Sequence, residues 1–428
     1  MTTRPNALVV PFRTALDAPT AGPAWRDELR RIGRDAYLKT GIPHAKIEAW
    51  KYTNLNALVG LDFQAAPDAG SAPKALLDSV PTIEGAYRLV FVNGRLDDKA
   101  SDRVAAKGVT VGTLDAPSTH LGRVIDTPHK PFAALNAALW DDGLAIHVAA
   151  GTTVDRPIHA VFLTVAGKKP AMTAPRTLVV VEKGAAATLI ETHVSTGAAP
   201  SFAAGVVEIV VEDTASFGHY RLIDERVDSF HIAATAARLG RASRYDSFTL
   251  TLGGRLVRSE IDVTLTSPDA DCRINGAYLG VGTSHVDNTT VIDHAAPSCR
   301  SREVFRGIVS GKGRAVFQGK IVVRKGAVKT DGHQLHNALL LDAGAEVDSK
   351  PELEIYADDV KCSHGSTTGD LDAAALFYLA ARGIAEPEAR RLLIEGFLTE
   401  VVDKIESVPT RDAFRAALVA RLTAEARS

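Results

Sequence analysis

The sequence predicts a mainly β protein whose core is a β-helix, or β-solenoid, flanked by an N-terminal mixed, mostly helical region and a C-terminal helical domain. Three observations carry this expectation. After Asp142 helical periodicity almost vanishes for about two hundred residues, and short β-branched runs replace it at 179–181, 206–211, 247–252, 261–265, 321–323 and 339–341. Turn clusters at Gly184, Asp213, Gly240, Asp269 and Pro297 recur at steps of 29, 27, 29 and 28 residues, then at roughly half that to Gly311, Gly326 and Gly344. Such recurrence fits a coil laid rung on rung, in which no rung buries its inner face alone. A sandwich would want hairpin signals every 8–12 residues, yet between 143 and 363 an Asn-Gly or Asp-Gly dipeptide occurs only at Asn275-Gly276 and Asp331-Gly332. The division expected is 1–142 for the N-terminal domain, 143–363 for the β-helix and 364–428 for the helical domain.

In chain order, the stretch after Pro23 places Trp25, Leu29, Ile32 and Ala36 on one face of an amphipathic helix that Gly41-Ile42-Pro43 ends. Trp50-Lys51-Tyr52-Thr53 reads as a helix edge with two aromatics on a core. A helix is expected over 73–79, then a strand over 87–92 turning at Asn93-Gly94, and a further helix over 131–140. A stack of rungs has open ends that must be capped or used, and the two flanking regions are the expected covers. The tail reads as three helices. Asp370 is placed to cap the first, over 371–382, and Pro387 sits in the first turn of the second, where Leu393, Phe397, Val401 and Ile405 recur every four residues. Pro409-Thr410 punctuates before a third over 412–426.

A chain of 428 residues can bury a sizeable core and is expected to fold as two or three packed units. With 46% hydrophobic and 23% charged residues and a formal charge of -2, it has no global field to attract nucleic acid or an anionic membrane. Three cysteines, Cys272, Cys299 and Cys362, with no C-x-x-C, are cytosolic usage. The opening MTTRPNALVVPFRTAL is too short an apolar stretch, and too interrupted, for a signal peptide, and no run reaches the roughly 18 apolar residues of a membrane span. A soluble cytoplasmic protein is expected.

The usual catalytic signatures do not occur. There is no G-x-x-x-x-G-K-[ST], no G-x-S-x-G and no H-E-x-x-H, and Gly311-Lys312-Gly313-Arg314 lacks the context that phosphate cradling needs. His333 and His336 read as exposed or hydrogen-bonded in a strand and turn context, and His285, Asp287, Asp293 and His294 as a loose polar cluster without metal-site spacing. Cys272 and Cys299, 27 residues apart, are placed one above the other by the inferred period and are read as core or surface thiols. The period changes from strand to helix over residues 342–384, and Lys361-Cys362-Ser363-His364-Gly365 lies at that change. If the link is extended, Cys362 and His364 project to one side. Both are soft or borderline metal ligands; equally, Cys362 reads as a small buried hydrophobe and His364 as a turn residue. Two ligands do not close a site.

The run PELEIYADDVKCSHGSTTGDLDAAALFYLAARGI, from Pro351 to Ile384, resembles the C-terminal signature of the SufD family of iron-sulfur cluster assembly proteins, and Glu48 with Trp50-Lys51-Tyr52-Thr53-Asn54-Leu55 resembles its N-terminal pattern. The two bracket residues 48–384, most of the chain. The resemblance implies a right-handed parallel β-helix and a non-enzymatic scaffold that pairs edge-on with its SufB relative and binds the SufC ATPase through the C-terminal helices. It implies that His364, with Cys362 second, serves at an interfacial iron or iron-sulfur site shared with SufB, that no cofactor is tightly bound in isolation, and that a transient iron or cluster rests at the interface. The absence of a thiol between Cys299 and Cys362 fits the D paralogue better than the B. The rival readings are a β-helix enzyme acting on polysaccharide, which the 6% aromatic content disfavours, and a homodimeric binding module.

Overall fold

The computed structural model describes residues 11–18 and 22–425. The leading apolar run at 7–10 and the expected helix end at Ala426 lie outside them. The core is a parallel β-solenoid of about eight turns, and 22% of the chain is helical. Each turn gives one strand to each of two facing sheets. The first sheet stacks Leu144–Val148, Arg176–Val181, Ser201–Val211, Phe230–Leu239, Leu256–Leu265, His285–His294, Arg314–Val323 and Glu346–Ile355. The second stacks Ile158–Ala166, Ala186–Gly197, Ser216–Asp224, Arg244–Gly253, Asp271–Gly280, Arg300–Val309, Asp331–Leu340 and Lys361–Gly369.

The recurrent turns of the sequence are one corner of this stack. Gly184, Thr214, Ala242, Asp269, Ser298, Lys329 and Asp359, one per turn, all have left-handed backbones, with φ between 50° and 67°. Successive corners are tied by backbone bonds such as Thr214 N to Arg241 O (2.7 Å) and Ala242 N to Pro268 O (2.9 Å). The shortened steps in the sequence do not mark shorter coils. Gly311 and Gly344 belong to the opposite corner, and the coils lengthen, Arg314 pairing with Glu346 and Asp331 with Lys361.

Alternate residues of both sheets point inward. Val207, Ile209, Val211, Ile261, Val263, Leu265, Phe317 and Ile321 share one apolar column, the burial that stabilises a coil which no single rung could stabilise. The outward faces are covered too. Phe12, Tyr37, Trp50, Phe63 and Phe132 of the N-terminal region pack on Phe202, Phe230 and Leu256 of the first sheet. Leu398, Val401, Ile405, Phe414 and Leu418 of the C-terminal helices pack on Leu222, Phe248, Leu250 and Ile308 of the second.

The flanking regions therefore cover faces more than ends, which corrects the sequence expectation. Only the first end is closed, by the strand Tyr87–Val92, parallel to Ile158–Ala166, and by Val109–Thr113, antiparallel to Leu144–Val148. Among the described residues no strand pairs beyond Glu346–Ile355 or Lys361–Gly369. The physical reason is that the C-terminal helices carry a long apolar stripe, which a broad sheet face buries and a narrow stack end cannot.

The tail helices are Ala373–Ala381, Glu386–Val402 and Val408–Glu425. The first is capped by Asp372, whose carboxylate accepts from the amides of Ala374 (2.8 Å) and Ala375 (3.4 Å), and not by Asp370, which accepts from Leu371 N. Pro409 lies inside the first turn of the third helix, where its missing N–H costs nothing.

Candidate functional site

The open end of the stack is built by its last two strands. In Lys361–Gly369 the residues Cys362, His364 and Ser366 share the face that points into the solenoid, because side chains alternate along an extended strand. The motif is part of the β stack and not a link beyond it. Cys362 pairs in register with Gly332, His364 with Gln334 and Ser366 with His336. With no further turn above them, these inward residues are only partly covered. Cys362 is half-buried against the apolar column and His364 is exposed. Burial pushes the Cys362 thiol up from its ordinary value, and neighbouring Asp331 adds to this, so the thiolate a soft metal needs forms here only with help from a cation.

Behind the strand runs a hydrogen-bonded chain. The Tyr278 hydroxyl lies 2.8 Å from His336 Nε2, His336 Nδ1 lies 3.0 Å from Ser349 Oγ, and Ser366 Oγ donates to Ser349 Oγ at 2.7 Å. The ring of His336 stacks on Phe317 at 4.7 Å, and burial lowers its pKa to about 4.

The other sequence candidates separate. His333 and His336, three apart on a strand, face opposite ways: His333 is half-buried beside Asp331 at 2.8 Å, His336 fully buried. His285 and Asp287 lie on the outward side of their strand, where Thr53 meets both. Asp293 faces outward to Arg324 (2.9 Å), and His294 faces inward to Ser301 (2.9 Å). Cys272 and Cys299 are both buried, free thiols but not in register: Cys272 pairs with Ser301, and Cys299 ends the preceding corner, two residues short. The period placed them one above the other, but coil lengths vary by a residue or two and shift the register. Among the described residues no three His, Cys, Asp or Glu side chains converge on a metal-sized site.

The structure also adds a contact that spacing did not reveal. The segment Glu48–Thr53 lies across the outward face of the first sheet and reaches its last strand. The guanidinium of Arg258 sits 4.0 Å over the Trp50 ring and is paired with Asp287 and with Glu260 (2.9 Å). Its Nη2 donates to Ala49 O at 2.8 Å. Lys350, on the strand Glu346–Ile355, meets Glu48 at 2.6 Å. The two stretches that carried the family resemblance are thus neighbours at the same end of the stack. A lone Arg258 in an alternating strand gave no sign of this.

Residues 162–397 match the family model for the SUF system FeS cluster assembly, SufBD core domain, and residues 23–160 match the SufBD protein N-terminal region. The chain is 34% identical to the iron-sulfur cluster assembly protein SufD of Escherichia coli, across 91% of this chain and 92% of that protein. It is 34% identical to an iron-sulfur cluster assembly SufBD family protein of Synechocystis, across 85% and 84%. To a chloroplastic protein of Arabidopsis thaliana named ABCI7 it is 33% identical, across 93% and 87%.

Proposed function

The chain belongs to the SufBD family of iron-sulfur cluster assembly proteins, and from that premise we propose that it is a scaffold subunit that completes an assembly site only when a related solenoid joins its open end. The observation that carries this is the geometry of Lys361–Gly369: a terminal strand with an unpaired edge, bearing an exposed imidazole and a half-buried thiol on one side. An unpaired edge is a template for strand addition. We take the strand's partner to be SufB, and the cluster to be cargo held between the two proteins. His364 is the ligand this chain contributes and Cys362 the second candidate, while the partner supplies the rest. A neutral imidazole and a thiolate suit iron-sulfur chemistry, and a set divided across a seam can let its cargo go when the seam shifts.

The ATPase SufC is the second partner. The tail supports this with the helix Ala373–Ala381, which buries no residue of its own and leaves Phe377 76% and Tyr378 57% exposed. With no nucleotide loop in this chain, ATP turnover belongs to that partner. No helix among the described residues is long and apolar enough to cross a membrane.

The test is His364→Ala on co-expression with the two partners. The three-protein complex should purify intact while cluster absorbance falls to background. A variant that accumulates cluster like the wild type removes His364 from the site.

A further inference from the structure

On the outward side of the second sheet, the loop 403–407 between the last two tail helices lies over the first residues of Ala186–Gly197, Ser216–Asp224 and Arg244–Gly253 and leaves a cavity of about 270 Å³. Register explains the space. Thr188, Gly218 and Asp246 form one row across the three strands, Gly218 pairing with Thr188 on one side and with Asp246 on the other. The row is open at its centre, because a Cβ on Gly218 would fall 3.2 Å from both Thr188 Oγ1 and the Tyr220 hydroxyl.

The walls divide by polarity. Val154, Ala186, Ala187 and Phe217 form the apolar part. The remainder carries oxygen: hydroxyls from Thr188, Ser216, Tyr220 and Ser407, and the carboxylates of Asp246 and Glu406. Among the described residues no lysine or arginine lines the cavity.

Asp246 is the unusual wall. It is 4% exposed, its Oδ2 accepts from the Tyr220 hydroxyl at 2.6 Å, and its Oδ1 has no partner among the described residues. Other buried polar atoms of the coils also lack partners, but Asp246 borders a cavity able to hold something that would bond to it. The two cations whose charge reaches it, Arg273 and Arg244, are both bonded to Glu406 Oε1, Arg273 at 2.7 Å. A buried carboxylate oxygen left without a donor is destabilising, and a donor that also carries positive charge relieves the missing bond and the missing charge together.

The chemistry of the walls selects the donor. An ammonium has three N–H groups and no acceptor, which suits a carboxylate oxygen set among hydroxyls. A guanidinium fork wants both oxygens of one carboxylate, and Oδ2 of Asp246 is already taken. Among the described residues no three His, Cys, Asp or Glu side chains converge here, as a divalent metal would require. The apolar walls suit a methylene stem, which lysine side chains bury along apolar surface while the charged head reaches a polar end.

We propose that this cavity binds an alkylammonium group, with Asp246 Oδ1 as its anchor, the Thr188 and Ser216 hydroxyls as further acceptors and the apolar walls around its stem. The group comes from a lysine side chain of a docking protein or from a free diamine. Because Glu406 and Ser407 belong to the tail and Asp246 to the solenoid, an occupant bridges the two.

The test is isothermal titration calorimetry of the full-length protein with cadaverine, a diamine on a five-carbon stem, and with the matching uncharged diol. Cadaverine should bind saturably at one site and the diol should not. In Asp246→Asn the affinity should fall about tenfold, the worth of one charge-assisted bond. Gly218→Ala, which narrows the gap and leaves the carboxylate in place, should weaken binding as well, so the proposal stays testable if Asp246→Asn does not fold. Absence of saturable binding by the wild type, equal binding of the diol, or undiminished affinity in the folded variants overturns the proposal and leaves the cavity to water. Repeating the titration on the complex with the two partners proposed above separates the sources: lost cadaverine binding assigns the site to a partner's lysine, retained binding to a free amine. A complex that does not form sinks the functional reading and leaves the titration of the isolated protein to decide this one.

Discussion

Arg258 is the side chain on which the N-terminal region turns. It is fully buried between Trp50, Asp287 and Glu260, and those two carboxylates hold its guanidinium charged against the pull of desolvation. Arg258→Ala leaves the buried Asp287 carboxylate without its cation, though still bonded to Thr53 and Thr289, a change that costs about 3–5 kcal/mol in comparable sites. Denaturant melts should show that loss, and Asp287→Asn in the same chain should recover part of it; equal melting of Arg258→Ala and wild type would mean the pair contributes nothing. His364 and Cys362 could be singled out from the sequence because soft ligands two apart at a change of period are conspicuous. Arg258, Glu303 and Gln334 could not, since inward and outward positions of a strand look alike until the neighbouring rung is known.

At the scale of elements, the corner column explains why turn spacing revealed the coil. A left-handed residue is required once per turn, and here Asp, Ser, Thr, Ala and Lys fill the position as well as Gly, the ladder of backbone bonds offsetting the cost of positive φ. The tail helices show the reverse. Their periodicity was readable, but the surface that receives the stripe is a sheet face assembled from rungs about 30 residues apart. The helix Ala373–Ala381 is the one whose apolar side stays uncovered. Phe377→Asp with Tyr378→Asp should leave the unfolding free energy within about 1 kcal/mol of wild type, as surface changes do, and abolish co-purification with the ATPase proposed above as a partner; retained binding would remove this helix from that proposal.

For the molecule as a whole, buried titratable groups set opposing responses to pH. His159, His294 and His336 have pKa values lowered to about 4 by burial. A histidine so depressed adds stability that is present above its unfolded value of 6.5 and lost as pH falls towards 4. Glu303 acts the other way. Raised to about 8, it adds stability that is full below its unfolded value of 4.5 and lost as pH rises through 8. Unfolding free energy should therefore drop steeply from pH 6.5 to 4, and Glu303→Gln should raise it at pH 8 relative to wild type while leaving it alike at pH 4. A flat profile over the acid range would show that the histidines do not stay neutral inside. The sequence by itself determined the coil, the three tail helices and the three longer helices of the N-terminal region, and it singled out Cys362 and His364 as candidates, because periodicity and turn chemistry are local and repeat along the chain. Only the tertiary structure decided which faces the helices cover, which end stays open and which polar groups meet inside. Those depend on register between residues about 30 apart, and a shift of one residue turns every side chain from the interior to the outside.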